Sequence, residues 1–243
     1  MDQSVDELLQ PHAALELRIP PYCKVCHIPI RGFRAIFSRM RGITPDPANP
    51  QFCSKCSEYD FVPREQVVTV LFCDIRNYTC LSEQRSPTEM VELLNRYFTC
   101  VSRIIINNDG VVEKFVGDAV MCFFNAPIES DRHETVAVET AMQIRHAMHA
   151  MKIPGVEIGI GINTGVARVG KLGSEASKAY GAIGDCVNVA ARLQSEARGG
   201  EIVVGCDTWE RAKGSIPSTL PMREVELTLK GKSIPVRAVV LGT

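Results

Sequence analysis

Apolar and polar positions change rhythm along the chain, and each change marks an element. Val67-Val68-Thr69-Val70-Leu71-Phe72-Cys73-Asp74 reads as a strand that ends on a carboxylate. Ser86-Pro87-Thr88-Glu89 opens a helix with a capping box and proline in its first turn. Met90, Val91, Leu94, Tyr97, Phe98, Val101, Ile104 and Ile105 then recur at helical spacing to about residue 107 and form one apolar face. Asn107-Asn108-Asp109-Gly110 stops that helix. From Val111 to Phe124 two apolar runs are broken once, by Gly117-Asp118, which predicts a tight β-hairpin with a carboxylate at its tip.

A second helix is expected from near Asp131, where Asp131 and Glu134 have capping-box spacing, with a broad apolar side from Val136 to Met151. His133, His146 and His149 lie on or near it without acidic or thiol partners at ligand spacing, and read as surface or half-buried side chains. Gly155 to Asn163 alternates small and β-branched residues as a strand, and Thr164-Gly165 turns it into a further strand, Val166 to Gly170. A polar stretch leads to Tyr180-Gly181-Ala182-Ile183-Gly184-Asp185, and a helix runs on from Asp185. Short strands near 201–204 and 221–229 flank a small helix at Asp207–Lys213, and a last strand runs from Ile234 to Leu241. From Val67 the order is β-α-β-β-α-β with added strands, an α+β, ferredoxin-like pattern.

The first quarter of the chain has no such rhythm. Pro11, Pro20, Pro21, Pro29, Pro45, Pro47 and Pro50 interrupt it, and Pro63 marks a junction, so residues 1–62 read as a small module and 63–243 as the main domain. Cysteine changes the picture of the module. Cys23-Lys24-Val25-Cys26 and Cys53-Ser54-Lys55-Cys56 are two CxxC pairs, and four thiolates in that arrangement could bind zinc and supply the folding free energy that a small core lacks. The 26 residues between the pairs exceed the usual zinc-ribbon gap, so an iron–sulfur cluster or two reversible disulfides stay open. His27 is a spare ligand at an awkward adjacent position. The other six of the ten cysteines (Cys73, Cys80, Cys100, Cys122, Cys186, Cys206) read as reduced core residues.

With 243 residues, the chain has enough core to fold unaided, and its net charge of −1 argues against a general nucleic-acid binder. No signal peptide or membrane-length apolar run is present, which reads as a cytoplasmic protein.

Two strand ends therefore carry Asp74 and Asp118, a way to hold divalent cations with hard oxygen ligands. After Asp74, Ile75-Arg76-Asn77-Tyr78-Thr79 is a polar turn whose backbone N–H groups could face phosphates. Asn188 and Arg192 stand four residues apart on the helix after Asp185, placed either to reach a sugar and a phosphate together or as a solvated face.

The segments Phe72-Cys73-Asp74-Ile75-Arg76-Asn77-Tyr78-Thr79, Lys114-Phe115-Val116-Gly117-Asp118 and Tyr180 through Arg192 resemble the class III nucleotidyl cyclases, in order and over roughly 63 to 243. The resemblance implies cyclisation of a nucleoside triphosphate to its 3′,5′-cyclic monophosphate with release of pyrophosphate, using two Mg²⁺ or Mn²⁺ ions. Asp74 and Asp118 match the metal-binding aspartates, with the Ile75 carbonyl as an extra ligand. Arg192 matches the transition-state arginine and Asn188 the ribose-orienting asparagine. Lys230 falls where a lysine often meets the terminal phosphates, with Lys232 and Lys178 as fallbacks.

Lys114 matches the purine-reading lysine of adenylyl cyclases, since an ammonium donates to adenine N1 whereas guanine N1 carries a proton. Gly181 departs from the usual Asp or Thr, so a backbone carbonyl or water would have to accept from the adenine amino group. The resemblance also implies a head-to-tail homodimer with ATP as substrate, in which Lys114 and Asp118 serve different sites. The alternatives are a guanylyl or relaxed-specificity cyclase, or an adaptor with a retired cyclase-like domain.

Overall fold

A computed structural model describes residue 17 and residues 20–47, 49–58, 62–174, 178–217, 219–232 and 234–242. Its central strand is β1 (Arg64–Ile75), whose Val68, Val70, Leu71 and Cys73 are completely buried. A strand this apolar must be paired at both edges and covered on both faces. β3 (Ala119–Phe124) lies antiparallel on one edge, and β4 (Ile158–Gly173) pairs antiparallel with all twelve residues on the other. β2 (Val111–Val116) joins β3 through the Gly117-Asp118 turn, with Gly117 at φ +63°. Beyond β4 come β6 (Ile202–Gly205), β8 (Val236–Leu241) and the edge strand β7 (Met222–Leu227), giving the order β2-β3-β1-β4-β6-β8-β7. β5 (Lys178–Ile183) pairs with the far part of β4, from Arg168 to Gly173.

Among its described residues the N-terminal segment carries two short α-helices, α1 (Ile36–Met40) and α2 (Ser54–Glu58). After β1 come α3 (Tyr78–Glu83) and α4 (Pro87–Asn107). The Ser86 hydroxyl accepts the Glu89 N–H at 3.3 Å while the Glu89 carboxylate accepts the Ser86 N–H at 2.8 Å, the expected capping box, worth about 1 kcal/mol. α5 (His133–Met151) packs beside α4, and Leu93, Tyr97, Val101 and Ile104 meet Val138, Ala141 and Ile144 over one face of the sheet, joined by Trp209 of α7 (Cys206–Ala212). Cys186 and Ala190 of α6 (Asp185–Glu196) cover the other face. Cys23, Ile30, Ile43, Phe52 and Cys53 join this second cluster together with Val68, Val70, Met121 and Phe123. The cysteine-bearing segment therefore shares its core with the sheet. The β-α-β-β-α-β order stands, within a mixed sheet of eight strands.

Several elements differ from the sequence expectation for identifiable reasons. Thr164-Gly165 is no turn: β4 runs straight through, because a Cβ at Gly165 would come within 2.8 Å of the Cys186 Cβ, so the glycine serves close packing of α6. Gly161 does the same, with the Gln194 backbone nitrogen 2.1 Å from its virtual Cβ. α5 starts at His133 without a side-chain cap, and Glu134 is buried in an ion pair with Arg211 at 3.1 Å instead of closing a box with Asp131. His133 is buried, its Nδ1 2.7 Å from the Thr69 hydroxyl. Among the six cysteines expected in the core, Cys80 is exposed on α3 and Cys206 half-buried. Among the described residues no helix is long and apolar enough to cross a membrane.

Candidate active site

The ends of β1 and of the β2–β3 hairpin meet. Asp118, in the hairpin turn, accepts the Ile75 backbone N–H at 3.1 Å, and its carboxyl lies against that of Asp74. Burial first, and then the neighbouring Asp74 carboxyl, push the Asp118 pKa up to about 7. Asp74 Oδ2 accepts from Arg76 Nη2 at 2.8 Å and from Gln194 Nε2 at 3.2 Å. Asp74 Oδ1 is buried with no partner. Two adjoining carboxylates with an orphaned oxygen between strand ends have the donor chemistry of a hard divalent cation site.

The turn after β1 is shorter than expected. Arg76 donates its N–H to the Glu157 carbonyl at 2.7 Å, Asn77 takes the left-handed conformation (φ 56°), and α3 begins at once. Tyr78 and Thr79 therefore lie in a helical first turn, where backbone N–H groups have no internal acceptors. The Arg76 guanidinium also reaches the carbonyls of Ala197 (3.3 Å) and Gln194 (3.5 Å), tying β1 to the end of α6.

A second group forms on β2 and β5. The register of the hairpin shifts between Val112 and Lys114, a β-bulge at Glu113. Alternation would send the side chains of neighbouring residues to opposite faces; the bulge instead lets Lys114 Nζ and Glu113 Oε1 meet at 2.8 Å. The Glu113 side chain is only 8 % exposed, and its Oε2 accepts the Ala182 N–H at 3.1 Å. A Cβ on Gly181 would meet Glu113 Oε1 at 2.7 Å. The carboxylate thus fills the space that a side chain at 181 would take.

The third group surrounds α6. Asn188 is exposed and Arg192 half-buried, four residues on. Arg192 Nη2 lies 3.3 Å from the Cβ position of Gly231, so the Lys230-Gly231-Lys232 loop sits beside it. Lys230 is exposed, and Lys232 is ion-paired with Asp185. Lys178 opens β5, and its side chain lies outside the described residues.

Sequence reasoning missed three contributors. Arg76 carried a usable signal, two residues past Asp74 on the same polar turn. Gln194 and Glu113 carried none: one depends on the close approach of α6 to Gly161 of β4, the other on a bulge that period-two alternation does not reveal.

The N-terminal thiols form a separate cluster. The sulfurs of Cys23, Cys26, Cys53 and Cys56 all lie within 4.8 Å of one another, and Cys26 and Cys53 are 3.7 Å apart. Tetrahedral Zn–S bonds of about 2.3 Å require S···S separations near 3.8 Å, so the set fits zinc. Cys23 Sγ accepts the Cys53 N–H at 3.3 Å, and Cys53 Sγ accepts the Cys56 N–H at 3.4 Å. Burial alone would raise the Cys23 pKa, but backbone N–H groups of Cys26, Val25 and Cys53 outweigh it and lower the value, favouring a thiolate. His27, in a left-handed turn after Cys26, is outside this cluster.

An antiparallel-rich sheet with paired aspartates at one strand end and a lysine–carboxylate pair on the adjoining hairpin defines the class of the protein, an α+β domain with a candidate divalent-cation site. The family model described as the adenylate and guanylate cyclase catalytic domain matches residues 62–239, and the chain belongs to that family. Adenylate cyclase 1 of Rhizobium meliloti (strain 1021) is 38 % identical over 136 residues, 53 % of this chain and 20 % of that protein. The chain thus matches about a fifth of that relative's length. Among solved structures, the adenylyl cyclase CyaB from P. aeruginosa superposes with a TM-score of 0.68 at 33 % identity, covering 75 % of this chain and 96 % of that one. The guanylyl cyclase Cya2 gives 0.67 at 29 % identity, covering 74 % and 93 %.

Proposed function

We propose that the protein is an adenylate cyclase, converting ATP to 3′,5′-cyclic AMP and pyrophosphate at the interface of a head-to-tail homodimer. The observation that carries this reading is the orphaned Asp74 Oδ1 against the Asp118 carboxyl, whose pKa is pushed up: a divalent cation would satisfy the pair in place of a shared proton. Asp74, Asp118 and the Ile75 carbonyl would hold two Mg²⁺ or Mn²⁺ ions, which supply charge neutralisation on the phosphates and acidify the attacking hydroxyl. The ribose 3′-oxygen bonds to the α-phosphorus, its proton passes to solvent water, and the bond from that phosphorus to the bridging oxygen breaks, releasing pyrophosphate. Arg192 stabilises charge on the five-coordinate phosphorus and Asn188 orients the ribose. The N–H groups of Asn77, Tyr78 and Thr79, and the Lys230 ammonium, meet the phosphates.

Base reading follows from the bulge. Lys114 donates to adenine N1, and the Glu113 carboxylate beside Gly181 accepts from the 6-amino group, the role for which position 181 lacks a side chain. Against a guanylyl or relaxed-specificity enzyme stands Lys114 alone, since its ammonium has no acceptor in the protonated N1 of guanine, whereas the Glu113 carboxylate would accept from either base.

Residues 1–62 are proposed as a zinc-stapled module on the cyclase domain of residues 63–243, with zinc favoured over iron–sulfur by the sulfur spacing. A cytoplasmic location and the absence of nucleic-acid partners belong to the same proposal.

The test is product formation from ATP and GTP by wild type and Asp118→Ala, with metal content measured on the same preparation. Cyclic AMP from wild type alone, and about one zinc per chain, is expected. Equal product from both proteins would overturn the assignment, and no product from either triphosphate would favour a retired domain.

A further inference from the structure

The N-terminal segment presents an apolar stripe that the cyclase reading does not use. A 3₁₀ turn, Phe33–Ala35, runs into α1. Ala35 and Ser38 are buried and hold this stretch against the module; the Ser38 carbonyl accepts N–H bonds from Arg41 and Ile43. The outward positions are Phe33, Ile36, Phe37 and Met40, exposed by 85, 58, 73 and 80 %. Their spacing of three, four and seven residues puts them on one side of two helical turns. Four large apolar side chains left this bare in one stripe mark a contact surface and not scattered exposure.

Charge identifies the occupant. Arg31, Arg34, Arg39 and Arg41 flank the stripe, all exposed. From Cys23 to Pro45 there are five lysines and arginines and no acid, in a chain whose total charge is −1. Lys24 is engaged with Asp109, so the four arginines set the local field. Arg34 is fixed at the base of the stripe, donating to the Tyr22 hydroxyl at 3.0 Å with its guanidinium 5.8 Å from the centre of the Phe33 ring. A second copy of this face would bring eight arginines together without a compensating carboxylate, which disfavours self-association. An anionic bilayer surface satisfies both halves: it takes aromatic and aliphatic tips among the acyl chains and arginines among the phosphates.

We propose that Phe33, Ile36, Phe37 and Met40, ringed by Arg31, Arg34, Arg39 and Arg41, dock the protein peripherally on an anionic lipid surface. The thiol cluster carries this stripe on a rigid base, since Tyr22 adjoins Cys23, and the Cys23 and Cys53 side chains are buried in the core shared with the sheet. One short stripe gives reversible attachment of a kind that salt weakens.

The test is co-sedimentation of the full chain with phosphatidylcholine vesicles containing or lacking phosphatidylglycerol. The wild type is expected to pellet with the phosphatidylglycerol vesicles and to be released as salt is raised. Phe33→Asp/Phe37→Asp should remain in the supernatant, and Arg39→Glu/Arg41→Glu should bind at least about tenfold more weakly. All substituted positions are exposed, and unchanged zinc content and circular dichroism verify folding. Failure of the wild type to pellet, equal pelleting with phosphatidylcholine alone, or variants that bind like the wild type would overturn the proposal. Loss of dimer by the phenylalanine variant in sedimentation velocity, without any vesicle binding, would overturn it too and assign the face to a second copy. None of these readouts depends on catalysis, so they stand or fall separately from the cyclase reading.

Discussion

Arg76 donates to one oxygen of Asp74 at 2.8 Å, and this contact decides which oxygen remains for a metal ion. Oδ2 is taken by Arg76 and Gln194; Oδ1 is left buried and unpartnered. Arg76 is in turn fixed by two carbonyls at the end of α6, so the carboxylate is aimed by an arginine that need not touch substrate. Arg76→Ala is expected to raise the Mg²⁺ concentration for half-maximal activity by about 10- to 100-fold, with much of kcat recovered at saturating metal. A loss of kcat that is the same at every metal concentration would argue against a positioning role.

Glu113 offers a separate handle on base choice. Glu113→Met keeps most of the volume beside Gly181 but removes the acceptor that pairs with Lys114. The ratio of kcat/KM for ATP over GTP should fall about 10- to 100-fold, the usual effect of losing one buried polar recognition contact. If both substrates slow in parallel and the ratio holds, Glu113 serves only to fix the hairpin.

The raised carboxyl of Asp118 makes a prediction about stability with pH. Its pKa moves from 3.8 to about 7, so the folded protein binds this proton more tightly than the unfolded chain does. The contribution of this one group to the metal-free fold is then most favourable below about pH 4, is lost as pH rises from about 4 to 7, and is a full penalty above about 7. A divalent cation bound between the two carboxylates would offset that penalty. Asp118→Asn should therefore raise the melting temperature of metal-free protein at pH 8, remove most of the stabilisation by Mg²⁺, and abolish turnover. An unchanged melting temperature would mean that solvent screens the two carboxylates from each other.

The thiol cluster should matter beyond its own segment. Cys23 and Cys53 are completely buried in the cluster that also contains Val68, Val70 and Phe123. Cys53→Ser is expected to cost the zinc and to lower the melting temperature of the whole domain in one transition, because metal binding and folding of the segment are linked. An early separate transition, with the main one unmoved, would show that the segment unfolds independently of the sheet.

Elements set by local chemistry could be read from the sequence alone. The Ser86/Glu89 box, the Gly117-Asp118 turn and the apolar run of β1 each depend on residues within a few positions, and each lies where expected. Features set by distant partners could not. Gly165 looks like a turn residue until α6 is laid against it, and Glu134 looks like half of a capping box until Arg211 arrives. The site divides along the same line: Asp74, Asp118, Lys114, Asn188 and Arg192 stand in quotable motifs, whereas Glu113 and Gln194 acquire meaning only through a bulge and a helix approach.

Complementation tests the assembly itself. Asp118 belongs to the Asp74 group at the end of β1, whereas Arg192 lies beside Gly231, and among the described residues no hydrogen bond or ion pair joins Asp74 or Asp118 to Arg192 itself, although Gln194 of the same helix donates to Asp74. If each active site takes the aspartates of one chain and the arginine of its partner, Asp118→Ala and Arg192→Ala damage different halves of it. In a mixed dimer both lesions fall on the same site and leave the other intact. Random exchange makes half of the dimers mixed, each with one working site, so equal mixing of two inactive variants should restore about a quarter of wild-type activity. Mixtures as inactive as their components, after exchange is verified by tagged pull-down, would instead require that one chain supply both groups to a single site.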